Sequence, residues 1–328
     1  MTDICGEYNL GHYLVTGAAG FIGSNIVEAL LARNAQVRAV DNLSTGRLEN
    51  LAPFAEHIEF IQGDIGDQEL LNQALRDVDY VIHQAALPSV PRSVEDPFAS
   101  NHANVTSTLR LLIAARDAGV KRVVFASSSS VYGDTPTLPK HEEMPTSPQS
   151  PYAVTKMAGE DYCKVFTRVY GLPTIALRYF NVFGPRQDPL SQYAAVIPAF
   201  IAAMLDGRSP IIYGDGAQSR DFTYVGDVAR ANILACHSEG GIGGAFNIAC
   251  GRRTSLLDLV AAINTELGTE ISPEHEPPRQ GDVKHSLADI TQAQEHLGFT
   301  PQVTFEEGLR ATIAAMKKLR GDHVQGGV

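Results

Sequence analysis

The stretch HYLVTGAAGFIGSNIVEALLAR, His12–Arg33, sets a short apolar run, a glycine-punctuated turn and an amphipathic segment in direct succession. Tyr13–Thr16 reads as a buried strand and Ile22–Arg33 as a helix, and the turn between them carries Gly17, Gly20 and Gly23. In such a unit the three glycines allow, in turn, a tight bend out of the strand, close approach of backbone to a pyrophosphate, and close packing of helix on sheet. A phosphate placed there meets the positive end of the helix and its unpaired N–H groups. A glycine pattern alone also fits a merely structural turn, so the reading depends on its surroundings.

Comparable apolar runs recur at Gln36–Asp41, Ile58–Gln62, Tyr80–His83, Arg122–Ala126 and Thr174–Arg178, separated by helix-like stretches at Gln68–Arg76, Asn101–Ala118 and Ala153–Tyr170. This alternation predicts an α/β fold, a Rossmann-type doubly wound parallel sheet with ligand at the carboxyl ends of the strands. After Asn181 the rhythm breaks into loop-like segments such as GPRQDP, RSPIIYGDG and EHEPPRQGD, with helical pieces around Ala194–Leu205, Ser255–Leu267 and Phe305–Lys318. The expected division is a dinucleotide-binding domain over 1–180 and a smaller C-terminal α/β substrate domain over 181–328. Parts of 222–250, namely Phe222–Cys236 and Ala245–Ile248, are free to return to the larger domain.

With 328 residues and 44% hydrophobic content, the chain can build a substantial core without metals or disulfides. Its net charge of -11 argues against a nucleic-acid binder, which needs a basic surface, so an anionic substrate must be held by a few local arginines. No stretch reaches the roughly 18 apolar residues of a membrane span, and the start lacks a basic segment followed by a long apolar run. The expected location is the cytoplasm. Cys5, Cys163, Cys236 and Cys250 are far apart with no CxxC spacing, and His141, although followed by Glu142 and Glu143, has no second histidine beside it. No metal site is expected.

Asp41 ends the second strand, where a carboxylate can accept bonds from an adenosine ribose and would repel a 2′-phosphate. Asn42, rather than arginine, follows it, which favours NAD over NADP, although Arg47 lies close downstream. Asp64, after the third strand, suits either the adenine edge or a helix cap. Ser127–Ser130 end the fifth strand, and Tyr152 and Lys156 follow in SPYAVTK. Residues i and i+4 share a helix face, so the lysine charge can stabilise a tyrosinate and draw its pKa down from about 10. Such a tyrosine can take a hydroxyl proton while a nicotinamide takes the hydride.

GAAGFIG (17–23), DNLSTG (41–46), GDI (63–65), HQAALPSV (83–90), SSSSVYG (127–133), SPYAVTK (150–156), RYFNVFGPRQ (178–187) and RDFTYVGDVA (220–229) occur in this order. Together they resemble the extended short-chain dehydrogenase/reductase family, and within it the UDP-hexose 4-epimerases, over nearly the whole chain. The resemblance implies a catalytic group of Ser128, Tyr152 and Lys156, with Ser129 as the other candidate hydroxyl. It implies NAD held by Gly17, Gly20, Phe21, Ile22 and Gly23, by Asp41, Asn42, Ser44, Thr45 and Gly46, and by Asp64 and Ile65. Gln84, Ala85, Ala86, Leu87 and Tyr179 complete that set, with Lys156 also on the nicotinamide ribose. For the UDP-sugar it implies Ser89, Ser128, Ser129, Ser130 and Tyr152 near the hexose. Asn181, Val196, Tyr213, Arg220, Arg279 and Asp282 fall around the diphosphate and uridine. A homodimer joined through the helices near Asn101–Ala118 and Ala153–Tyr170 is also implied.

Sugar-nucleotide 4,6-dehydratases, which the chain also resembles, carry an Asp-Glu pair where this sequence has Ser129 and Ser130, so elimination of water would lack its acid and base. Uronate epimerases and decarboxylases generally place another small polar residue at the position of Asn181. Asn181 therefore favours a neutral hexose, while Arg92 and Arg186 keep a UDP-glucuronate reading open. The family's pocket near C2 of the sugar is lined by the residue seven after Arg279, which is Ser286. A small side chain there admits an N-acetyl group. The expected activity is interconversion of UDP-GlcNAc and UDP-GalNAc, with UDP-Glc and UDP-Gal as further substrates. A dinucleotide-binding protein without turnover and a dehydrogenase releasing NADH are the competing classes; the presence of both Tyr152 and Lys156 speaks against the first.

Overall fold

The computed structural model describes residues 11–189, 195–278 and 284–325. Six strands follow the apolar runs: β1 (His12–Thr16), β2 (Gln36–Asp41), β3 (Glu59–Gln62), β4 (Tyr80–His83), β5 (Arg122–Ser128) and β6 (Thr174–Tyr179). A further strand, Ala245–Ile248, pairs with β6, so the sheet runs in the order Ala245–Ile248, β6, β5, β4, β1, β2, β3. All its pairings are parallel. The order reverses between β1 and β4, and a doubly wound sheet opens its ligand crevice at that reversal, beyond the carboxyl ends of the strands.

The helices around it are α1 (Phe21–Leu31), α2 (Gln68–Ala74), α3 (Val90–Glu95), α4 (Pro97–Asn101), α5 (Ser107–Asp117) and α6 (Pro151–Tyr170). Strand alternation sends Tyr13 and Val15 of β1 to one face and Leu14 to the other. On the first face Ile26 and Leu30 of α1 pack with Val228 and Ala231 of the helix Val225–His237. On the second lie Leu71 of α2, Leu111 of α5 and Phe166 of α6. A separate apolar core, including Phe200, Ile201, Leu259, Val260, Leu309 and Ile313, holds together the later helices Val196–Leu205, Leu256–Leu267 and Phe305–Gln325.

The sequence pattern predicts one regular helix over Asn101–Ala118, but a π turn over His102–Thr106 separates α4 from α5. Asn104 in that turn is buried, accepts the Leu87 N–H (2.8 Å) and donates to Thr155 Oγ1 (3.0 Å). An apolar period reports which face is buried and is blind to one inserted residue, which is why the turn escapes it.

Local chemistry fixes α6 in place. Ser150 caps it by accepting the Ala153 N–H, Pro151 opens its first turn, and Gly171 ends it in the left-handed conformation. At Gly159 a Cβ would come within 2.3 Å of the Phe125 ring, so the missing side chain lets α6 press onto β5. Glu160, on the face of Tyr152 and Lys156, is buried and grips Arg178 of β6 through two bonds of 2.9 and 2.7 Å. Ser127 of β5 donates to the same carboxylate. The helix is thereby tied to both strands that frame the serine run.

Candidate active site

At the β1 exit, Gly17 adopts φ +66°, and a Cβ there would sit 2.7 Å from the Ala85 nitrogen at the β4 exit. A Cβ on Gly23 would lie 2.1 Å from the Gly17 carbonyl oxygen. The turn is thus packed backbone against backbone, and α1 starts at Gly20 with no side chain capping it. Its N-terminal N–H groups are directed into the crevice as an anion site. The crevice is a cavity of about 600 Å³ bordered by Gly17, Gly20, Phe21, Ile22 and Gly23 on this side.

Asp41 stands beside it, buried, accepting the Ala19 N–H (2.9 Å) and the Leu43 N–H (2.8 Å). Burial raises its carboxyl pKa against those backbone bonds. Asn42, Ser44, Thr45, Asp64 and Ile65 border the cavity as well, whereas Gly46 lies behind them against the Asp41 carboxylate. The cap of α2 is Asp67, and Asp64 instead accepts from the Asn42 amide (2.9 Å), which leaves it facing the cavity. Arg47 forms an ion pair with Asp188 (2.6 Å) across the cavity wall.

The Gln84–Leu87 segment is held from beneath by His83. Thr108 donates to the Asn104 carbonyl (2.7 Å), so its oxygen is left to accept from His83 Nε2 (2.8 Å). His83 Nδ1 then accepts from Thr16 (2.7 Å), whose oxygen takes the Ala85 N–H (3.3 Å). This chain requires a neutral imidazole, and burial, with the Lys156 charge adding to it, lowers the His83 pKa to about 3. Tyr179 on the cavity wall is fixed through its phenol by Gln84 (2.9 Å) and Asn232 (2.8 Å).

Where Ser127 and Tyr152 border the crevice, the neighbouring Ser128 hydroxyl acts to lower the pKa of the Tyr152 phenol. Ser129 and Ser130 turn away into the short helix Ser129–Tyr132, whose first turn Ser128 caps by accepting the Ser130 N–H (3.2 Å). Lys156 is buried, donates to the Ala126 carbonyl (2.8 Å) and lies 5.8 Å from the centre of the Tyr152 ring. The sequence reading has the lysine pulling the tyrosine pKa below its ordinary value. In the structure burial prevails: the phenol is pushed up to about 12 despite the opposing effect of the Ser128 hydroxyl, and the ammonium is pushed down to about 8.

Each charge alone is penalised, yet the neutral pair and the tyrosinate–ammonium pair carry the same number of protons, and at 5.8 Å from ammonium to ring centre the two are expected to titrate as a unit. To act as a base, the fully protonated pair must lose one proton. Activity is therefore expected to rise with pH through one limb at or below about 8. In Lys156→Met that limb should move above about pH 10, where an isolated phenol ionises. A pH–rate profile with the same limb in both proteins would refute the coupling.

Asn181, outside the residues that border this cavity, has a positive φ of 32° and donates to Ser286 Oγ (3.2 Å) and to the Asp221 carbonyl (3.3 Å). Arg220 lies on the short strand Ser219–Arg220, antiparallel to Thr254–Ser255, and donates to the Lys284 carbonyl (3.3 Å). Tyr213 ends the strand Ile211–Tyr213, its carbonyl accepting from Gln218 (2.7 Å). Val196, partly buried, packs against the separate apolar core of the later helices, while Ala195 borders the cavity in its place. Ser89 borders the cavity and caps α3. Arg279 and Asp282 lie outside the described residues.

Residues 13–249 match the model of a family described as the NAD dependent epimerase/dehydratase family. The chain belongs to that family. A UDP-glucose 4-epimerase of Mycolicibacterium smegmatis is 44% identical over 304 residues, spanning 92% of this chain and 96% of the relative. Among solved structures, a UDP-N-acetylglucosamine 4-epimerase from Methanobrevibacter ruminantium, in complex with UDP-N-acetylmuramic acid, superposes with a TM-score of 0.90 at 46% identity. It covers 94% of this chain and 99% of that one. A UDP-glucuronic acid 4-epimerase variant from Bacillus cereus, with UDP-4-deoxy-4-fluoro-glucuronic acid and NAD, gives 0.87 at 33% identity, with 94% and 99% covered.

The family's cofactor is NAD, and the crevice fits it on its own geometry. A glycine turn that admits no Cβ, an uncapped helix start and a carboxylate at the end of β2 are the parts a pyrophosphate and a ribose require. Arg47, engaged by Asp188, is not poised for a 2′-phosphate. When bound, NAD supplies an acceptor and then a donor of hydride. This epimerase/dehydratase adds parts that the motifs did not disclose. His83 and Asn104 brace the Gln84–Leu87 loop, and Glu160 continues the 152, 156 spacing by another turn, a signal that was present in the sequence.

Proposed function

We propose that the protein is a UDP-sugar 4-epimerase that interconverts UDP-GlcNAc and UDP-GalNAc, and also accepts UDP-Glc and UDP-Gal. The observation that carries the reading is the pairing of Asn181 with Ser286, which puts a short hydroxyl at the position read as the wall near C2. Tyr152, with its proton removed, takes the C4 hydroxyl proton, and Ser128 bridges the phenol and the substrate oxygen. Lys156 holds its charge close to the phenolate. The 4-ketose formed turns about its phosphate bonds, and Tyr152 returns the proton when the opposite face is reduced. The nucleotide must therefore be gripped and the hexose left loose, a division suited to Asn181 and Arg220 on the diphosphate side.

UDP-glucuronate is the second reading, favoured by Arg92, which borders the cavity, and by kinship to the B. cereus enzyme. Arg186, the other basic candidate, is engaged by Glu28 (2.5 Å) and Ser24 (3.0 Å) at the outer wall. Purified protein without added cofactor is to be incubated separately with UDP-GlcNAc, UDP-Glc and UDP-GlcA, and each C4 epimer followed by NMR. Conversion of UDP-GlcNAc is expected; turnover of UDP-GlcA alone would overturn the reading. Ser286→Tyr is expected to lower kcat/KM for UDP-GlcNAc relative to UDP-Glc by about 10²-fold, since a ring there fills the space of the acetamide. An unchanged ratio would remove Ser286 from the pocket.

We infer further that the chain works as a homodimer in the cytoplasm. Val154, Val165 and Val169 form an exposed stripe on α6, and Phe98 of α4 is 88% exposed. Apolar side chains so displayed on adjoining helices suit a bundle with the same helices of a second copy. Among the described residues no helix is long and apolar enough to cross a membrane. Sedimentation should give twice the 35.3 kDa of the chain.

A further inference from the structure

We propose that Asp221 is a positioning residue for the substrate half of the site, its buried carboxylate holding in one register the segments that carry Arg220, Asn181 and Ser286. Asp221 is 0% exposed. One carboxylate oxygen accepts the Cys250 N–H (2.9 Å), and the other accepts the Gly251 N–H (3.0 Å) and the Ala288 N–H (3.1 Å). Its own carbonyl receives the Asn181 amide (3.3 Å), and Asn181 in turn donates to Ser286 (3.2 Å).

The donors come from the exit of the sheet strand Ala245–Ile248 and from the segment that holds Ser286, while Arg220 is the adjacent residue in the chain. These pieces are remote in sequence and belong to no common helix or strand, so their relative placement depends on what joins them. An ionised carboxylate in such a place is costly unless several N–H groups solvate it, and here they do. An apolar side chain could fill the volume, but it would leave those N–H groups without an acceptor and free the segments to move apart.

Asp227 provides a control within the same molecule. It too is a buried staple, accepting the Gln302 N–H (2.9 Å) and the Val303 N–H (3.1 Å), but the segment it holds carries none of the residues assigned to the substrate. A role confined to folding would make the two aspartates equivalent. A positioning role separates them.

The inference rests on the reading that this crevice takes a UDP-sugar, and the test uses binding, not turnover. NAD-loaded wild type, Asp221→Asn and Asp227→Asn are compared for UDP-glucose affinity by calorimetry, for NAD content and for Tm. Both variants are expected to melt lower. Only Asp221→Asn is expected to lose UDP-glucose affinity, by about fivefold or more, at wild-type NAD content, because its amide presents one acceptor oxygen and turns an NH2 toward the remaining N–H groups. A smaller loss, an equal loss in Asp227→Asn, or loss of NAD alongside UDP-glucose would overturn it. If Asp221→Asn yields no folded protein, Asp221→Ser, which keeps an acceptor and removes the clashing NH2, is judged by the same criteria. Wild type that fails to bind UDP-glucose would overturn the substrate reading itself.

Discussion

Tyr152→Phe is expected to lower turnover by about 10²- to 10⁴-fold while NAD content stays at the wild-type level, because the substitution removes one proton-transferring oxygen and nothing else. The ring keeps its place at the N-terminal turn of α6, where Ser93 Oγ accepts the backbone N–H of residue 152 (3.0 Å). Lys156 keeps its bond to the Ala126 carbonyl, so its contribution to the cavity floor persists. Burial pushes the phenol up to about 12, so the expected loss presumes that the lysine charge stabilises its ionised form. Kinetics on the NMR-assayed substrate, together with NAD released from denatured protein, measure both halves of the expectation. Substantial residual turnover would move the base elsewhere; lost NAD would mean that the ring, not the oxygen, had been disturbed.

Gly17→Ala is expected to strip the protein of its cofactor. The residue sits at φ +66°, where a side chain costs about 1 kcal/mol by itself. The larger effect is contact: the new Cβ would lie 2.7 Å from the Ala85 nitrogen and 2.8 Å from its Cα. Both partners are backbone at the ends of adjacent strands, since Thr16 pairs with His83 in the β1–β4 register. Neither can yield without opening the sheet at the reversal of strand order, so the turn that should cradle the pyrophosphate must shift. Purified variant is expected to retain less than about a tenth of the wild-type NAD, with a lower Tm, a loss of more than about 1.4 kcal/mol in cofactor affinity. Retention of full NAD would show that the loop tolerates the methyl group and that phosphate binding does not depend on this close approach.

The sheet was legible because its strands, the half-exposed edge strand β3 apart, are largely buried and appear as apolar runs, each within a residue or two of the strand ends observed. The cavity wall around the glycine turn was legible for a related reason. Gly17, Gly23, Asp41 and Gln84 act where a strand ends and a loop begins, so their places follow from local order along the chain. Tyr152 and Lys156 share one helix face, which spacing alone reveals. The later segments gave less. Val196 has the composition of a pocket residue but packs into an apolar core, and the π turn at His102–Thr106 leaves no mark on the hydrophobic period.

By itself, then, the sequence determines the parallel sheet, the glycine turn, the acidic residue at the end of β2 and the tyrosine–lysine pair, because each depends on periodicity or on steric limits within a few residues. The tertiary structure decides what long-range contact decides. It returns Ala245–Ile248 to the sheet edge beside β6, sets the protonation balance of Tyr152 and Lys156 by burying both, and gathers Asn181, Arg220 and Ser286 around Asp221. Desolvation and hydrogen bonds between segments many residues apart have no periodic signature in the chain; they come into being only when the fold closes.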